Sequence, residues 1–130
     1  STVAYTRESL LGRTYLLDFW ATWCGPCIGE MAYLHAAHDS LAADSVEFLA
    51  VSIDNRREDV TRFRAGEWKM PWLHAFAAGG FQNPEVRKLE IWGIPTSVLI
   101  GPDGKILAVN PRGEHTVSAI REALRGARAP

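Results

Sequence analysis

Two cysteines three positions apart are the residues in this sequence whose type and spacing most directly suggest chemistry. Cys24 and Cys27 are the only cysteines among the 130 residues, and they complete the stretch Trp-Ala-Thr-Trp-Cys-Gly-Pro-Cys at 20–27. A nearly continuous apolar run at 15–20, typical of a buried strand, precedes them, and an apolar spacing of helical period starts at Cys27. The pair is therefore predicted to lie where a strand ends and a helix begins.

The start of a helix favours ionisation of a cysteine thiol. The first backbone N–H groups of a helix lack intrahelical partners, and the helix dipole places partial positive charge there. A lowered pKa is therefore expected for the thiol near Cys24. Two cysteines at this spacing also lie close enough to close a small disulfide ring, and Pro26 fits the first helical turn. The residues predict a reversible dithiol–disulfide couple.

The order of motifs along the chain resembles that of the thioredoxin superfamily. The stretch at 20–27 is followed far downstream by Gly-Ile-Pro-Thr at 93–96. The similarity runs from about Leu11 to the C-terminal helix. It implies an α/β protein with the thioredoxin-like fold, in which helices flank a mixed central β-sheet, and a function in thiol–disulfide exchange with other proteins.

Within the superfamily, the sequence is most similar to the TlpA/ResA-like group of membrane-anchored or periplasmic thiol-disulfide oxidoreductases of bacteria. The residues that carry this similarity, besides the cysteine stretch, are Glu30, Ser-Ile-Asp at 52–54 and Gly-Pro-Asp-Gly-Lys at 101–105. Lys-Met-Pro-Trp-Leu at 69–73 is also similar to tryparedoxins, which share the fold. Cytochrome c maturation and copper-site assembly are tasks of the TlpA/ResA-like group.

The two cysteines are expected to have distinct roles. Cys24 is predicted to be the attacking nucleophile at an exposed turn, and Cys27, one turn into the helix, to resolve the mixed disulfide. Gly25 and Pro26 form the dipeptide of thioredoxin itself, a reducing member of the superfamily. We therefore expect the protein to reduce disulfides of client proteins and to be recharged by an upstream electron-donating thiol protein, without a cofactor.

Two carboxylates are candidates for the proton acceptor that Cys27 needs. Asp18 lies in the apolar strand run, where burial is costly without a partner or a raised pKa, and it matches the buried acid of thioredoxin. Glu30 lies on the helix face of Cys27 and matches the acid of the TlpA/ResA-like group. We expect Asp18 to be the main acceptor and Glu30 to tune it. The competing interpretations are a structural acid at Asp18 and a surface carboxylate at Glu30.

A proline downstream is expected to face the cysteines. Pro95 resembles the cis-proline of the superfamily; cis is affordable only at an X–Pro bond, and it leaves the backbone of Ile94 free to pair with an extended substrate strand. The competing interpretation is an ordinary trans turn proline. The expected substrate-binding residues are Trp23, Gly25, Pro26, Ile94, Pro95 and Thr96, whereas Trp20 is expected in the core.

Periodicity predicts the elements that must position these residues. Asp54 and Asn55 are predicted to cap the helix that starts at 57, and Gly-Pro-Asp-Gly at 101–104 predicts an antiparallel hairpin. A right-handed crossover is expected between the first two strands. The predicted strands are 15–20, 47–53, 97–100 and 105–109, and the predicted helices are 27–43, 57–65, 84–92 and 115–125.

The segment 67–83 is the least periodic part of the chain. Its aromatic residues are interrupted by Pro71 and two glycines, although 72–76 is predicted as a short edge strand. Two interpretations remain open at this point. The segment is either a partner-binding surface or a set of ordinary aromatics that cap the core.

Length and composition indicate one soluble-type domain over 1–130, with 1–10 expected to be a trimmed N-terminal extension. Hydrophobic residues make up 47% and charged residues 22%, and the net charge of −1 gives no reason to expect nucleic acid or an anionic membrane surface as a partner. Ser1 indicates a mature or trimmed segment, with any membrane anchor outside it. The resemblance implies a periplasmic or otherwise extracytoplasmic location, although the same chemistry also operates in the cytoplasm.

Three further kinds of function compete with the redox couple. A zinc site of the cysteines with His35 and His38 is disfavoured, because Cys27 and His35 would lie about 12 Å apart along one continuous helix. No metal is therefore expected. A peroxiredoxin-like or tryparedoxin-like protein linked to peroxide is the second competitor, and a binding module that kept the fold for docking is the third.

Overall fold

The apolar segment before the cysteine pair forms the central strand of a five-stranded sheet. In the computed structural model, which describes residues 5–128, this strand is β1, Thr14–Trp20, and its last six residues are buried. It pairs in parallel with one neighbour and antiparallel with the other. Because six consecutive residues, which alternate between the two faces, are buried, both faces of β1 are covered, and this explains its continuous apolar sequence.

The remaining elements follow the predicted order. The strands are β2 (Val46–Ser52), β3 (Leu73–Phe76), β4 (Thr96–Ile100) and β5 (Ile106–Val109), in the sheet order β3-β2-β1-β4-β5. The helices are α1 (Gly25–Gly29), α2 (Met31–Ser40), α3 (Arg57–Arg64), α4 (Pro84–Lys88) and α5 (Thr116–Arg128). The predicted mixed sheet, its edge strand β3 and the antiparallel β4–β5 hairpin are confirmed.

The parallel pairing of β1 and β2 places the C-terminal ends of these two strands side by side. The register runs from Thr14 opposite Val46 to Trp20 opposite Ser52, and the next residue, Ile53, donates its N–H to the Trp20 carbonyl at 3.0 Å. The loop that carries the cysteines therefore leaves the sheet beside the segment that follows β2.

Alternate residues of β1 face two different layers. On one face, Trp20 is fully buried, as predicted, and packs on Phe63 of α3 at 5.1 Å between ring centroids. On the other face, Leu17 and Phe19 line a cavity of about 490 Å³ together with Val86 of α4. Asp18 belongs to the first face, beneath the helix that follows the cysteines.

The predicted continuous helix 27–43 is wrong. Two helices, α1 and α2, meet at Glu30, and a separate turn of 3-10 helix covers Ala42–Asp44. The Glu30 N–H bonds to the carbonyl of Cys27, three residues back, at 3.2 Å. Such a bond tightens and ends a helix. The apolar spacing continues across the break, so periodicity alone does not show it.

Two further boundaries differ from prediction. The cap of α3 is Arg56 without a side-chain hydrogen bond, so the prediction that Asp54 and Asn55 cap this helix is wrong. The predicted helix 84–92 ends as α4 at Lys88. Of the expected N-terminal extension, residues 1–4 lie outside the described part, and Glu8–Leu10 form a 3-10 turn.

Candidate active site

The two cysteines form a disulfide at the start of α1. Their Cα atoms are 5.2 Å apart, a normal separation for a disulfide. Cys24 is the N-cap residue, and its sulfur accepts the backbone N–H of Cys27 at 3.1 Å. Gly25 and Pro26 occupy the first helical positions. The helix N-terminus thus directs an N–H group at the Cys24 sulfur, in agreement with the prediction from the cysteine spacing.

The expectation that Cys24 lies at an exposed turn is wrong for this disulfide form. Cys24 is only 5% exposed and Cys27 2% exposed. The residue that projects from the turn is Trp23, at 64% exposure. The order of exposure is as predicted, but the first sulfur is shielded because the turn presents the Trp23 side chain, rather than the Cys24 side chain, to solvent.

The turn before the disulfide is held by a buried carboxylate. Asp54 is 1% exposed and follows β2. Its oxygens accept the Thr22 hydroxyl at 2.6 Å, the Thr22 N–H at 3.1 and 3.2 Å, and the Ser52 hydroxyl at 2.5 Å. The sequence pattern, which predicts a helix cap at Asp54, misses this role. The one signal for it is the position of Asp54 directly after a buried strand.

Asp18 is buried in the sheet below the disulfide helix. Its side chain is 8% exposed, and its Oδ2 atom has no hydrogen-bond partner among the described residues. The pKa of the Asp18 carboxyl is raised to about 7, chiefly by burial and additionally by the Glu30 charge, while the Arg112 charge acts in the opposite direction. The carboxyl is therefore poised to gain or lose a proton near neutral pH.

Glu30 lies close to Asp18, and the two residues line the same small cavity. Its carboxylate accepts the backbone N–H of Gly113 at 3.0 Å, and it is only partly exposed. The Glu30 carboxylate is therefore partly exposed but bonded to the segment that precedes α5. A cavity of about 10 Å³, close to the space that one water needs, is lined by Asp18, Glu30, Leu34, Pro95, Ser97, Pro111 and Arg112.

Pro95 lines that small cavity, and the peptide bond between Ile94 and Pro95 is cis. The guanidinium of Arg112 donates to the Pro95 carbonyl oxygen at 2.5 Å, and the Thr96 hydroxyl donates to the Gly93 carbonyl at 2.7 Å. The interpretation of Pro95 as a trans turn proline is therefore wrong. Arg112 is a site residue that no motif in the sequence marks.

His35, one of the two histidines that raised the question of a metal, is engaged by other contacts. His35 receives the Met70 N–H on Nε2 at 3.1 Å, and its Nδ1 lies 2.8 Å from the Met31 carbonyl. Its ring packs in tilted orientation against Trp68 and Trp72, with centroid distances of 5.1 and 4.7 Å. The geometry favours the core-capping interpretation of the 67–83 aromatics. Because the helix breaks at Glu30, the length of one continuous helix does not count against a zinc site. What disfavours the site is that both ring nitrogens of His35 already have backbone partners.

Comparisons with known proteins find thioredoxin-like relatives. A family model described as thioredoxin-like matches residues 12–106. The chain is 36% identical over 100 residues to a protein named thiol-disulfide oxidoreductase ResA from Oceanobacillus iheyensis, covering 76% of this chain and 50% of that protein. It spans between 50% and 63% of the length of the first curated relatives that it matches.

Solved structures show the same architecture. The thioredoxin domain of a thiol-disulfide oxidoreductase from Bacteroides vulgatus aligns with a TM-score of 0.79 and 26% identity, covering 88% of this chain and 81% of that one. A putative thiol:disulfide interchange protein DsbE from Chlorobium tepidum aligns with a TM-score of 0.75 and 29% identity, covering 92% and 83%.

Proposed function

We propose that this chain, which belongs to the thioredoxin-like family, is a thiol-disulfide oxidoreductase that reduces disulfides of client proteins. The observation that carries the proposal is the Cys24–Cys27 disulfide at the N-terminus of α1, with a cis-proline and two carboxyl groups lining a cavity next to that helix. The relatives named as oxidoreductases support the same chemistry. The disulfide alternates with the dithiol in this cycle.

The exchange proceeds in two balanced steps. The thiolate of Cys24 attacks one sulfur of a client disulfide, and the bond between the two client sulfurs breaks as the first client thiolate leaves. The thiolate of Cys27 then attacks the Cys24 sulfur, which releases the second client thiolate and closes the disulfide. Two electrons pass to the client, whose two thiolates each take up a proton. An upstream thiol protein restores the dithiol by the reverse exchange.

Asp18 is assigned as the main acceptor of the Cys27 proton. A base is most effective when its pKa lies near the working pH, and burial, with the Glu30 charge, raises the pKa of Asp18 to about 7. Glu30 tunes that acceptor, because its negative charge makes loss of the Asp18 proton harder. The two carboxyl groups line the same small cavity, which is close to the space that one water needs to carry a proton between them.

Client proteins are proposed to bind across Pro95. The backbone of Ile94 pairs with an extended client segment, and Thr96, Gly25 and Pro26 border the same surface. Trp23 supports this assignment, because a large apolar side chain left 64% exposed is available for contact with a client. Trp92 has similar exposure, 65%, two residues before Ile94.

The direction and the location are part of the proposal. The Gly25-Pro26 dipeptide favours the reducing direction. The resemblance to the TlpA/ResA-like group favours an extracytoplasmic protein, and cytochrome c maturation is one of the tasks of that group. Within residues 5–128, no helix has the length and apolar character required to cross a bilayer. We propose a single domain over 1–130 that acts on thiol-containing clients and uses no metal, nucleic acid or cofactor.

Insulin reduction and equilibration with glutathione test this function. The reduced protein should accelerate precipitation of the insulin B chain. Cys27→Ser should accumulate a mixed disulfide at Cys24, which mass spectrometry of a non-reduced digest would locate, whereas Cys24→Ser should not. A protein that fails to cycle between dithiol and disulfide, or an oxidising equilibrium with glutathione, would contradict the proposed reductase.

A further inference from the structure

Asp54 is a buried carboxyl group that the proposed exchange does not use. It is 1% exposed, and both of its oxygens act only as acceptors, the role of an ionised carboxylate. Burying such a group costs free energy unless hydrogen bonds compensate it. Three donors do so: the N–H and the hydroxyl of Thr22, and the hydroxyl of Ser52.

Thr22 lies inside the turn that leads to the first cysteine. The N–H of Cys24 donates to the carbonyl of Ala21 at 3.1 Å, so residues 21–24 close a turn with Thr22 at one of its two central positions. Asp54 contacts both the backbone and the side chain of this central residue. It therefore attaches the turn to the end of β2.

The Asp54 side chain is held in place by Ser52, the last residue of β2. Ser52 is 1% exposed, and its hydroxyl both accepts the Asp54 N–H at 3.0 Å and donates to the Asp54 carboxylate. Ser52 lies opposite Trp20 in the parallel register. The carboxylate is thus held by the sheet, and the turn is held by the carboxylate.

We propose that Asp54 is a positioning residue for Cys24, acting through Thr22. The inference rests on the proposed thiol–disulfide function and deepens it. By fixing the turn, Asp54 keeps the Cys24 sulfur within bonding reach of Cys27, which raises the effective concentration of the two sulfurs for ring closure. Its negative charge, near the turn, also opposes accumulation of thiolate in the reduced form. Both effects favour the disulfide over the dithiol, which makes the couple more strongly reducing.

Three variants separate geometry from charge. Thr22→Val removes the hydroxyl donor and leaves the Asp54 charge, whereas Asp54→Asn removes the charge and turns an NH₂ group toward two donors. Thr22→Ser keeps the hydroxyl and should restore most of the wild-type behaviour. Leu124→Ala opens a cavity in the buried face of α5 and serves as a control that lowers stability away from the turn.

The readout is the thiol–disulfide equilibrium with glutathione, quantified by alkylation and mass spectrometry. We expect Thr22→Val to shift the equilibrium constant toward the dithiol about threefold and Asp54→Asn about tenfold, with kcat for insulin reduction falling more than KM rises. The double variant should match Asp54→Asn alone, because both changes break one connection. Circular dichroism of the oxidised forms establishes that each variant is folded.

The outcomes distinguish this proposal from the function on which it rests. Equal glutathione equilibria for wild type, Thr22→Val and Asp54→Asn would overturn the positioning role, whatever their melting temperatures. A shift of the same size in Leu124→Ala would also overturn it, since stability alone would then explain the effect. A wild-type protein that equilibrates with glutathione but does not reduce insulin would contradict the client reductase and leave the comparison of variants valid.

Discussion

Glu30 accepts a hydrogen bond of 3.0 Å from the backbone N–H of Gly113, a residue 83 positions later in the chain. This bond joins the break between α1 and α2 to the segment that precedes α5. The neighbour of Gly113, Arg112, donates to the Pro95 carbonyl. Through these two contacts, the acid of the disulfide helix and the cis-proline are held by one short segment, and Asp18 lies beneath both.

Asp18→Asn should stabilise the oxidised protein at neutral and alkaline pH. The unfolded chain releases the Asp18 proton near pH 3.8, whereas the folded protein holds it up to about pH 7. Wild-type stability therefore falls as pH rises across this window, and the loss is complete above about pH 7. A shift of about three pKa units corresponds to about 4 kcal/mol. Denaturant unfolding at pH 5 and pH 8 measures it.

The control for Asp18→Asn is the difference between its stability gain at pH 8 and its stability gain at pH 5. The gain over wild type should be large at pH 8 and about 40% of that at pH 5, where Asp18 is protonated in the folded protein but already ionised in the unfolded chain. A gain that does not change with pH would show that burial of the carboxylate is not its cause.

Glu30→Gln should move the pH midpoint of disulfide reduction to lower values. The Glu30 charge raises the pKa of Asp18, and glutamine removes that charge while keeping an oxygen for the Gly113 N–H. Initial rates of insulin reduction between pH 5 and 9 give the midpoint. The combination with Asp18→Asn should show no further shift. If Asp18→Asn leaves the profile unchanged while Glu30→Gln moves it, Glu30 rather than Asp18 is the main acceptor.

Arg112→Gln should have the opposite effect on the same midpoint. The Arg112 charge lowers the pKa of Asp18, so removing it raises that pKa further. Arg112→Lys keeps the charge and is the matched variant: it should preserve the midpoint while losing part of the contact with the Pro95 carbonyl. A rise in KM shared by both variants would report the contact, and a midpoint that moves in Arg112→Lys as well would refute the electrostatic explanation.

His35→Phe should destabilise the protein by about 1–3 kcal/mol, because the part-buried N–H of Met70 loses its acceptor while the ring contacts with two tryptophans are retained. The free energy of unfolding from denaturant titration measures the loss. His115→Phe, at a side chain that is 80% exposed, is the control and should change stability little. Equal values for the two variants would mean that the Met70 contact contributes nothing.

Local patterns were sufficient for much of the fold. The apolar run of β1, the helix start at the cysteines and the glycine-rich turn before β5 are each encoded by neighbouring residues, and the structure contains all of them. The helix break at Glu30 leaves no mark in the pattern, because two helices in sequence preserve nearly the same apolar spacing as one. The predicted cap at Asp54 is wrong because its partner, Thr22, lies 32 positions earlier.

The sequence by itself determined the chemistry: two cysteines at a helix start, an acid in a buried strand and a proline that the resemblance marks as cis. The tertiary structure decided the partnerships. Glu30 reaches Gly113, Asp54 reaches Thr22 and Arg112 reaches Pro95 across 83, 32 and 17 positions. Side chains that meet only after the sheet has assembled leave no periodic or local signal in the chain, because their proximity depends on strand order and register.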